Sequence, residues 1–129
     1  MRLARITPQS PEWTALISMG AGDFLGEKDG VELWAICTTG PIGVLGFEQV
    51  SDDVCECDLW VREDMRGLWW TRAFYAMLLG IGFSRAKTII AAVEEGSASH
   101  RIVERLGWKM YCQQDGLSYY QICKERLHG

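Results

Sequence analysis

Cys57-Asp58-Leu59-Trp60-Val61-Arg62-Glu63-Asp64-Met65-Arg66-Gly67 opens the stretch of sequence that decides the fold, and Leu106-Gly107-Trp108 closes it. The opening run reads as a strand entering a turn at Arg66-Gly67. From there Trp70, Ala73, Phe74, Met77, Leu78 and Ile81 recur at helical spacing as one apolar stripe. Lys87-Thr88-Ile89-Ile90-Ala91-Ala92-Val93 then has the short, β-branched apolar character of a strand buried on both faces. Strand, crossover helix and strand form a βαβ unit with parallel strands and a right-handed crossover. The turn entering such a helix presents free backbone N–H groups and the positive end of the helix dipole, an arrangement suited to an anion. A phosphate-bearing ligand is therefore the first expectation.

Outward from this unit, residues 2–6 read as a short strand. Residues 11–19 read as a helix, with Ser10 as N-cap and Pro11 at its first position. Residues 20–30 are a glycine-rich connection. Residues 31–38 and 42–50 form a hairpin around Thr39-Gly40-Pro41, and residues 54–61 extend the meander after Ser51-Asp52-Asp53. Beyond Trp108, strands over 109–113 and 117–124 are joined by the turn Gln114-Asp115-Gly116, and the tail 125–129 is expected to fray. The pattern predicts an α+β (α/β) architecture. It has a mixed central sheet of about six to seven strands with flanking helices, an antiparallel N-terminal meander leading into the βαβ unit. No repeat, low-complexity tract or linker interrupts it, and 129 residues suit one domain over residues 1–129.

Composition narrows the function classes. An apolar content of 48% with six tryptophans is that of a folded globule. A net charge of −4 argues against nucleic-acid binding, which needs a basic face to displace counterions. No apolar run approaches the roughly 20 residues that span a bilayer. Met1-Arg2-Leu3-Ala4-Arg5 lacks the apolar stretch of a signal peptide. Cys37, Cys55, Cys57, Cys112 and Cys123 lie in apolar, strand-like contexts and read as buried free thiols, which suits a reducing cytoplasm. Cys55-Glu56-Cys57 lacks the two-residue spacing and second ligand pair of a zinc knuckle, so no metal is expected.

An antiparallel meander, a βαβ unit, a short helix ending in Gly-aromatic and two further strands together resemble the GNAT acetyltransferase superfamily over residues 31–124. Val61-Arg62-Glu63-Asp64-Met65-Arg66-Gly67 is similar to the family's hydrophobic-x-Pro-Glu-x-Arg-Gly approach. Ser97-Ala98-Ser99-His100-Arg101-Ile102-Val103-Glu104-Arg105-Leu106-Gly107-Trp108 is similar to its helix ending in Leu-Gly-Phe. The Ser-x-His-Arg wording resembles diverged members carried by bacteriophages. Gly107 suits the left-handed position that ends a helix, with Trp108 packing back on the last turn.

The resemblance implies an acyl-CoA-dependent N-acyltransferase, with acetyl-CoA as cofactor and a small-molecule or protein amine as acceptor. With the charge and the lack of a long apolar run, no nucleic-acid or membrane partner is expected, and a homodimer is compatible with the resemblance. The cofactor would lie between the strands over 54–61 and 87–93, where parallel neighbours splay, held by Leu59, Trp60, Val61, Arg66, Gly67, Leu68, Trp69, Trp70 and Ser99. The family's phosphate loop runs Gln or Arg, two residues, Gly, one residue, Gly or Ala. Gly67 matches the middle glycine, whereas Asp64 and Trp69 stand at the two flanking positions. Asp64 brings negative charge to a diphosphate site, against Arg62, Arg66 and Arg72. The indole of Trp69 must swing aside if phosphate is to reach the backbone; alternatively Leu68, Trp69 and Trp70 pack the helix start.

The family's general acid, a Tyr four residues before the terminal Gly, is replaced by Val103, and the Asn that often begins that helix by Gly96. Tyr111 and His100 are the substitutes within reach of that region, His100 being equally readable as a partly exposed helix residue. Alternation along 54–61 sets Cys55, Cys57, Leu59 and Val61 on one face and Glu56, Asp58 and Trp60 on the other. Glu56 and Asp58 are then the base candidates, a solvated polar face being the alternative. Glu94 and Glu95 border the same region. The missing tyrosine, the altered loop and the aromatic excess also fit a catalytically silent GNAT-fold protein that binds a partner.

Overall fold

Parallel pairing of the strand Val54–Val61 (β4) with the strand Thr88–Glu94 (β5) confirms the βαβ unit: Val54 faces Thr88, Cys55 faces Ile89 and Glu56 faces Ile90. The structure, a computed structural model, describes residues 1–26, 31–65 and 70–127. The other strands are Arg2–Ile6 (β1), Glu32–Cys37 (β2), Pro41–Gln49 (β3), Lys109–Gln114 (β6) and Leu117–Cys123 (β7). Together the seven form one mixed sheet in the order β1-β2-β3-β4-β5-β7-β6. The helices are Pro11–Leu16 (α1), Gly22–Gly26 (α2), Arg72–Arg85 (α3) and Ala98–Arg105 (α4). No helix among the described residues is long and apolar enough to cross a membrane. The chain packs as two compact units, Met1–Glu48 with Asp58–Leu79 and Gln49–Cys57 with Gly80–Gly129.

In the first unit, β1, β2 and β3 form the expected meander, with Ile6 opposite Leu33 and Ala35 opposite Val44. Proline begins α1 and Ser10 holds the N-cap position as expected, but its side chain does not bond the first turn: its hydroxyl accepts the Thr7 N–H at 2.9 Å instead. The helical path also runs further than the glycine content suggested. A π turn over Ile17–Ala21 leads into α2, because Gly20 adopts φ 109° and absorbs the kink between them. That continuation buries Ala21 and Leu25 against Ile6, Leu16, Leu33, Ala35, Cys37 and Val44, with Trp13, Phe24, Val31 and Trp60 packed around the cluster. On the opposite face of the sheet Ile36, Leu45 and Phe47 are fully buried, as is Phe74 of α3.

The start of α3 differs from the expected stripe. Thr71 is the N-cap, its hydroxyl accepting the Phe74 N–H at 3.0 Å, so Trp70 precedes the helix and Ala73 is exposed. Trp70 packs on Phe74 and Tyr75, with ring centroids 5.1 and 5.9 Å away. A residue just before the cap held against the fourth helical residue is a hydrophobic staple, and it fixes the angle at which the chain enters α3.

In the second unit α4 stops as expected. Gly107 takes φ 81°, its N–H bonds to the Glu104 carbonyl, and the Trp108 N–H bonds back to Val103, the paired bonds of a Schellman motif. Trp108 is buried. Asp115 and Gly116 both have positive φ, 54° and 79°, and close a two-residue hairpin between β6 and β7. Three expectations need correction. β5 is not buried on both faces: Ile89, Ala91 and Val93 are buried, whereas Thr88, Ile90 and Ala92 are half-buried. Cys112 is exposed on the edge strand β6 and Cys123 is half-buried, leaving Cys37, Cys55 and Cys57 as the buried free thiols. The tail forms a 3₁₀ turn over Lys124–Leu127, anchored by the Lys124 N–H on the Lys87 carbonyl.

Gly43 on β3 marks the tightest approach in the first unit. A Cβ there would stand 2.5 Å from the Trp60 carbonyl oxygen and 3.2 Å from Val61 Cα, both backbone atoms. Gly43→Ala is expected to lower unfolding free energy by about 1–3 kcal/mol, the usual cost of overpacking. Gly46→Ala meets the yielding side chains of Leu33 and Val31 at 3.3 Å, with the Asp58 carbonyl oxygen at an ordinary 4.0 Å, and is expected to cost less. Urea denaturation of both variants checks the order.

Candidate functional site

The entry to α3 is built by the end of β4. Val61 is buried, the Arg62 N–H donates to the Ile42 carbonyl at 2.8 Å, and a 3₁₀ turn over Glu63–Met65 follows, closed by the Met65 N–H on the Arg62 carbonyl. Arg62 Nε donates to Asp64 Oδ1 at 2.5 Å. The negative charge of Asp64 is thus met within the turn by Arg62, rather than left for an incoming anion to oppose. Arg72 is exposed at the first position of α3. The Arg72 and Ala73 N–H groups precede the first intrahelical bond, Tyr75 N–H to the Thr71 carbonyl, while the Phe74 N–H is taken by the cap. These features suit a phosphate group. Four of the expected cofactor residues, Arg66, Gly67, Leu68 and Trp69, lie outside the described residues. Trp60 and Trp70 are engaged in packing, Leu59 is half-buried and Val61 is buried.

At the start of α4, Ser97 caps the helix, its hydroxyl accepting the His100 N–H at 3.1 Å and donating to the Glu94 carbonyl at 2.7 Å. Ser99 is exposed in the first turn. His100 is fully engaged. The Gly96 N–H donates to Nδ1 at 2.9 Å, which puts the ring proton on Nε2. Nε2 lies 2.9 Å from Glu104 Oε1 and 3.0 Å from the Tyr120 hydroxyl, and that hydroxyl donates to Glu104 Oε1 at 3.0 Å. Tyr120, 3% exposed, has its phenol pushed above 10.0 by burial first, then by the hydrogen bond to Glu104 and the charge of that carboxylate. This cluster ties the helix start, the helix body and β7 together, and so His100 is committed as an anchor. Ser97 and the four-residue spacing of His100 and Glu104 were visible in the sequence. Tyr120, which completes the cluster from β7, carried no local signal.

The other face of the second unit holds the remaining candidates. Glu56 is half-buried on β4, beside Ile90. On β6 the register slips between Met110, opposite Tyr120, and Cys112, opposite Tyr119, so Tyr111 is the extra residue of a β-bulge. Its ring lies 6.2 Å from that of Tyr119. The Tyr111 phenol is pushed up by burial and, after it, by the Glu56 carboxylate, with smaller effects from Cys112 and Tyr119. The structure therefore brings Glu56 and Tyr111 within electrostatic reach of each other. Asp58, half-buried two residues along β4, belongs to the first unit. Glu95 accepts a hydrogen bond from Gln113, and Glu94 is exposed at the end of β5. Among the described residues no three metal-ligating side chains gather.

No protein-family model and no curated protein sequence matches this chain. Solved structures do. The Campylobacter jejuni N-acetyltransferase PseH in complex with acetyl coenzyme A superposes with a TM-score of 0.72 at 14% identity, covering 95% of this chain and 98% of that one. A GNAT family acetyltransferase from Elizabethkingia anophelis with acetyl-CoA bound gives 0.73 at 9% identity, with 95% and 97% covered. Mutant forms of the spermidine/spermine N-acetyltransferase SpeG from Vibrio cholerae give 0.72 at 9%, with 97% and 95% covered. The fold is that of the GNAT N-acetyltransferases.

The raised Tyr120 phenol has a signed consequence. Its folded value lies above the ordinary 10.0, so its contribution to stability is whole below that pH and is lost as pH rises through the folded value. Tyr120→Phe is expected to flatten the alkaline fall in stability. Near neutrality it is expected to cost about 0.5–1.5 kcal/mol, the net worth of a hydrogen bond, since Glu104 is exposed and His100 half-buried and water can replace the hydroxyl. Denaturation measured from pH 7 to 11 checks both effects.

Proposed function

We propose that this protein is an acyl-CoA-dependent N-acyltransferase, acetyl-CoA being the donor and an amine the acceptor. The observation that carries the reading is the correspondence of nearly the whole chain with N-acetyltransferases solved with acetyl-CoA bound. Arg72 and the first N–H groups of α3 would hold the donor's phosphates, with Arg62 exchanging its hold on Asp64 for the same charge, and Arg66 and Gly67 completing the loop. Bound acetyl-CoA supplies the activated acyl thioester. Leu59 and Val61 would line its approach along β4, with Leu68, Trp69, Trp70 and Ser99 as outer contacts.

Glu56 draws an ammonium group to the sheet face and takes its proton, directly or through water, leaving a neutral amine to attack. Asp58 adds a second carboxylate on the same strand. The rest of the rate comes from positioning, which tolerates the absence of a tyrosine at position 103. Tyr111 keeps its proton, because burial and Glu56 both oppose its ionisation, and the same effects make it a reluctant donor. The buried free thiols suit a reducing compartment, and we place the protein in the cytoplasm.

A second reading, a silent GNAT-fold protein that binds a partner, is favoured by one observation: Val103 is buried where the acid would stand, and His100 is committed elsewhere. If the origin is of the bacteriophage type, that partner is a host protein or a structural component of the virion.

Incubation with labelled acetyl-CoA and a panel of primary amines separates the two. The enzyme reading expects transfer to at least one amine. Glu56→Gln should then lower kcat by about 10²-fold or more while the acetyl-CoA KM stays within about twofold. Full turnover by that variant would eliminate Glu56 as the base. Saturable acetyl-CoA binding with no transfer to any amine would favour the silent reading.

A further inference from the structure

In the second unit, both helical segments sit on one face of the sheet. The Cys55 thiol approaches the Gly82 carbonyl of α3 at 3.7 Å, and His100 of α4 reaches Tyr120. Ile89, Ala91 and Val93 of β5 are buried on that side. The register sets a different population on the other side: Glu56 beside Ile90, Ile90 beside Gln121, and Ala92 beside Tyr119. All five are half-buried rather than buried. Cys112 pairs with Tyr119, and the bulge before it lets Tyr111 add its ring to the same side, 6.2 Å from Tyr119 with the planes at 54°. Tyr111 is 48% exposed.

A bulge on an edge strand commonly serves to re-aim one side chain, and this one aims a tyrosine across the sheet. Among the described strand residues of the second unit, the charges on this side are Glu56, Glu94 at the end of β5 and Lys109 at the start of β6. Two tyrosine rings on the sheet face that also carries the Glu56 carboxylate, with β5 between Glu56 and Tyr119, offer the recognition chemistry of an organic cation. The ring faces attract positive charge through their quadrupoles, and the carboxylate supplies the counter-charge. Inorganic cations prefer oxygen ligands in number, and an anion would meet Glu56. A neutral apolar ligand would gain nothing from the carboxylate.

Resting on the acyltransferase reading, we propose that Tyr111 and Tyr119, with the charge of Glu56 on the same sheet face, form a subsite for an organic ammonium group, which seats a positively charged part of the amine acceptor other than the amine that Glu56 deprotonates. The tyrosines are positioning residues: they hold the cation and take no proton. The acceptor class is narrowed to amines that are cationic at the seated group, in preference to neutral or anionic amines.

The probe is tetramethylammonium, which cannot be acylated, titrated into the whole protein while the ring resonances of Tyr111 and Tyr119 are followed by NMR. The proposal expects a saturable shift at both rings, absent with tert-butanol, which has similar bulk and no charge. Tyr111→Leu and Tyr119→Leu should each weaken binding roughly fivefold or more, and Tyr111→Phe, which keeps the ring, should stay within about threefold. Glu56→Gln should weaken it too. An equal response to tert-butanol, no response to tetramethylammonium, or a loss in Tyr111→Phe as large as in Tyr111→Leu would overturn the proposal. Acetyl-CoA titrated into the same sample keeps the two readings apart. Tetramethylammonium binding without acetyl-CoA binding would retain the subsite and defeat the transferase, and the converse would defeat the subsite alone.

Discussion

The parallel pairing of Val54–Glu56 with Thr88–Ile90 is the constraint on which the rest of the chain depends. Parallel neighbours cannot be joined by a tight turn, so the chain must leave the sheet, cross over as α3 and return. The N-terminus of that crossover helix is then set beyond the end of β4, where backbone donors and the helix dipole meet whatever the loop admits. Thr71 and the Trp70 staple fix the geometry of this entry, and the Arg62–Asp64 pair holds the turn before it.

The same constraint gives the second unit two chemically different faces. One is closed by α4, whose ends are specified by Ser97 at the start and by Gly107 with Trp108 at the finish. It is tied down through His100, Glu104 and Tyr120. The other face keeps Glu56 and the two tyrosines half-buried or exposed, a setting in which a carboxylate and aromatic rings can meet a ligand.

Much of the fold was legible because its signals are local. The start of β4 was readable from the turn Ser51-Asp52-Asp53, the hairpin turn from Asp115-Gly116, and the end of α4 from Gly107-Trp108. What failed locally failed for physical reasons. Ser10 looks like a cap, yet its hydroxyl finds the Thr7 N–H first. Gly20 looks like the start of a loop, yet one positive φ lets a second helix restart after it. The β-branched run over 88–93 looks buried on both faces, since side-chain type alone does not say how fully each face is covered. For the site, Glu56 and Tyr111 could be chosen singly, whereas their meeting depends on strand order and on a bulge, which no spacing along the chain encodes. Tyr120 was missed for the same reason.

The acyltransferase function requires that the α3 entry hold an acyl-CoA despite Asp64 and Trp69. Calorimetric titration of the whole protein with acetyl-CoA measures this directly. Saturable binding, weakened at higher ionic strength and accompanied by a rise in melting temperature, is the predicted result. The absence of both heat and thermal stabilisation at millimolar acetyl-CoA would contradict it.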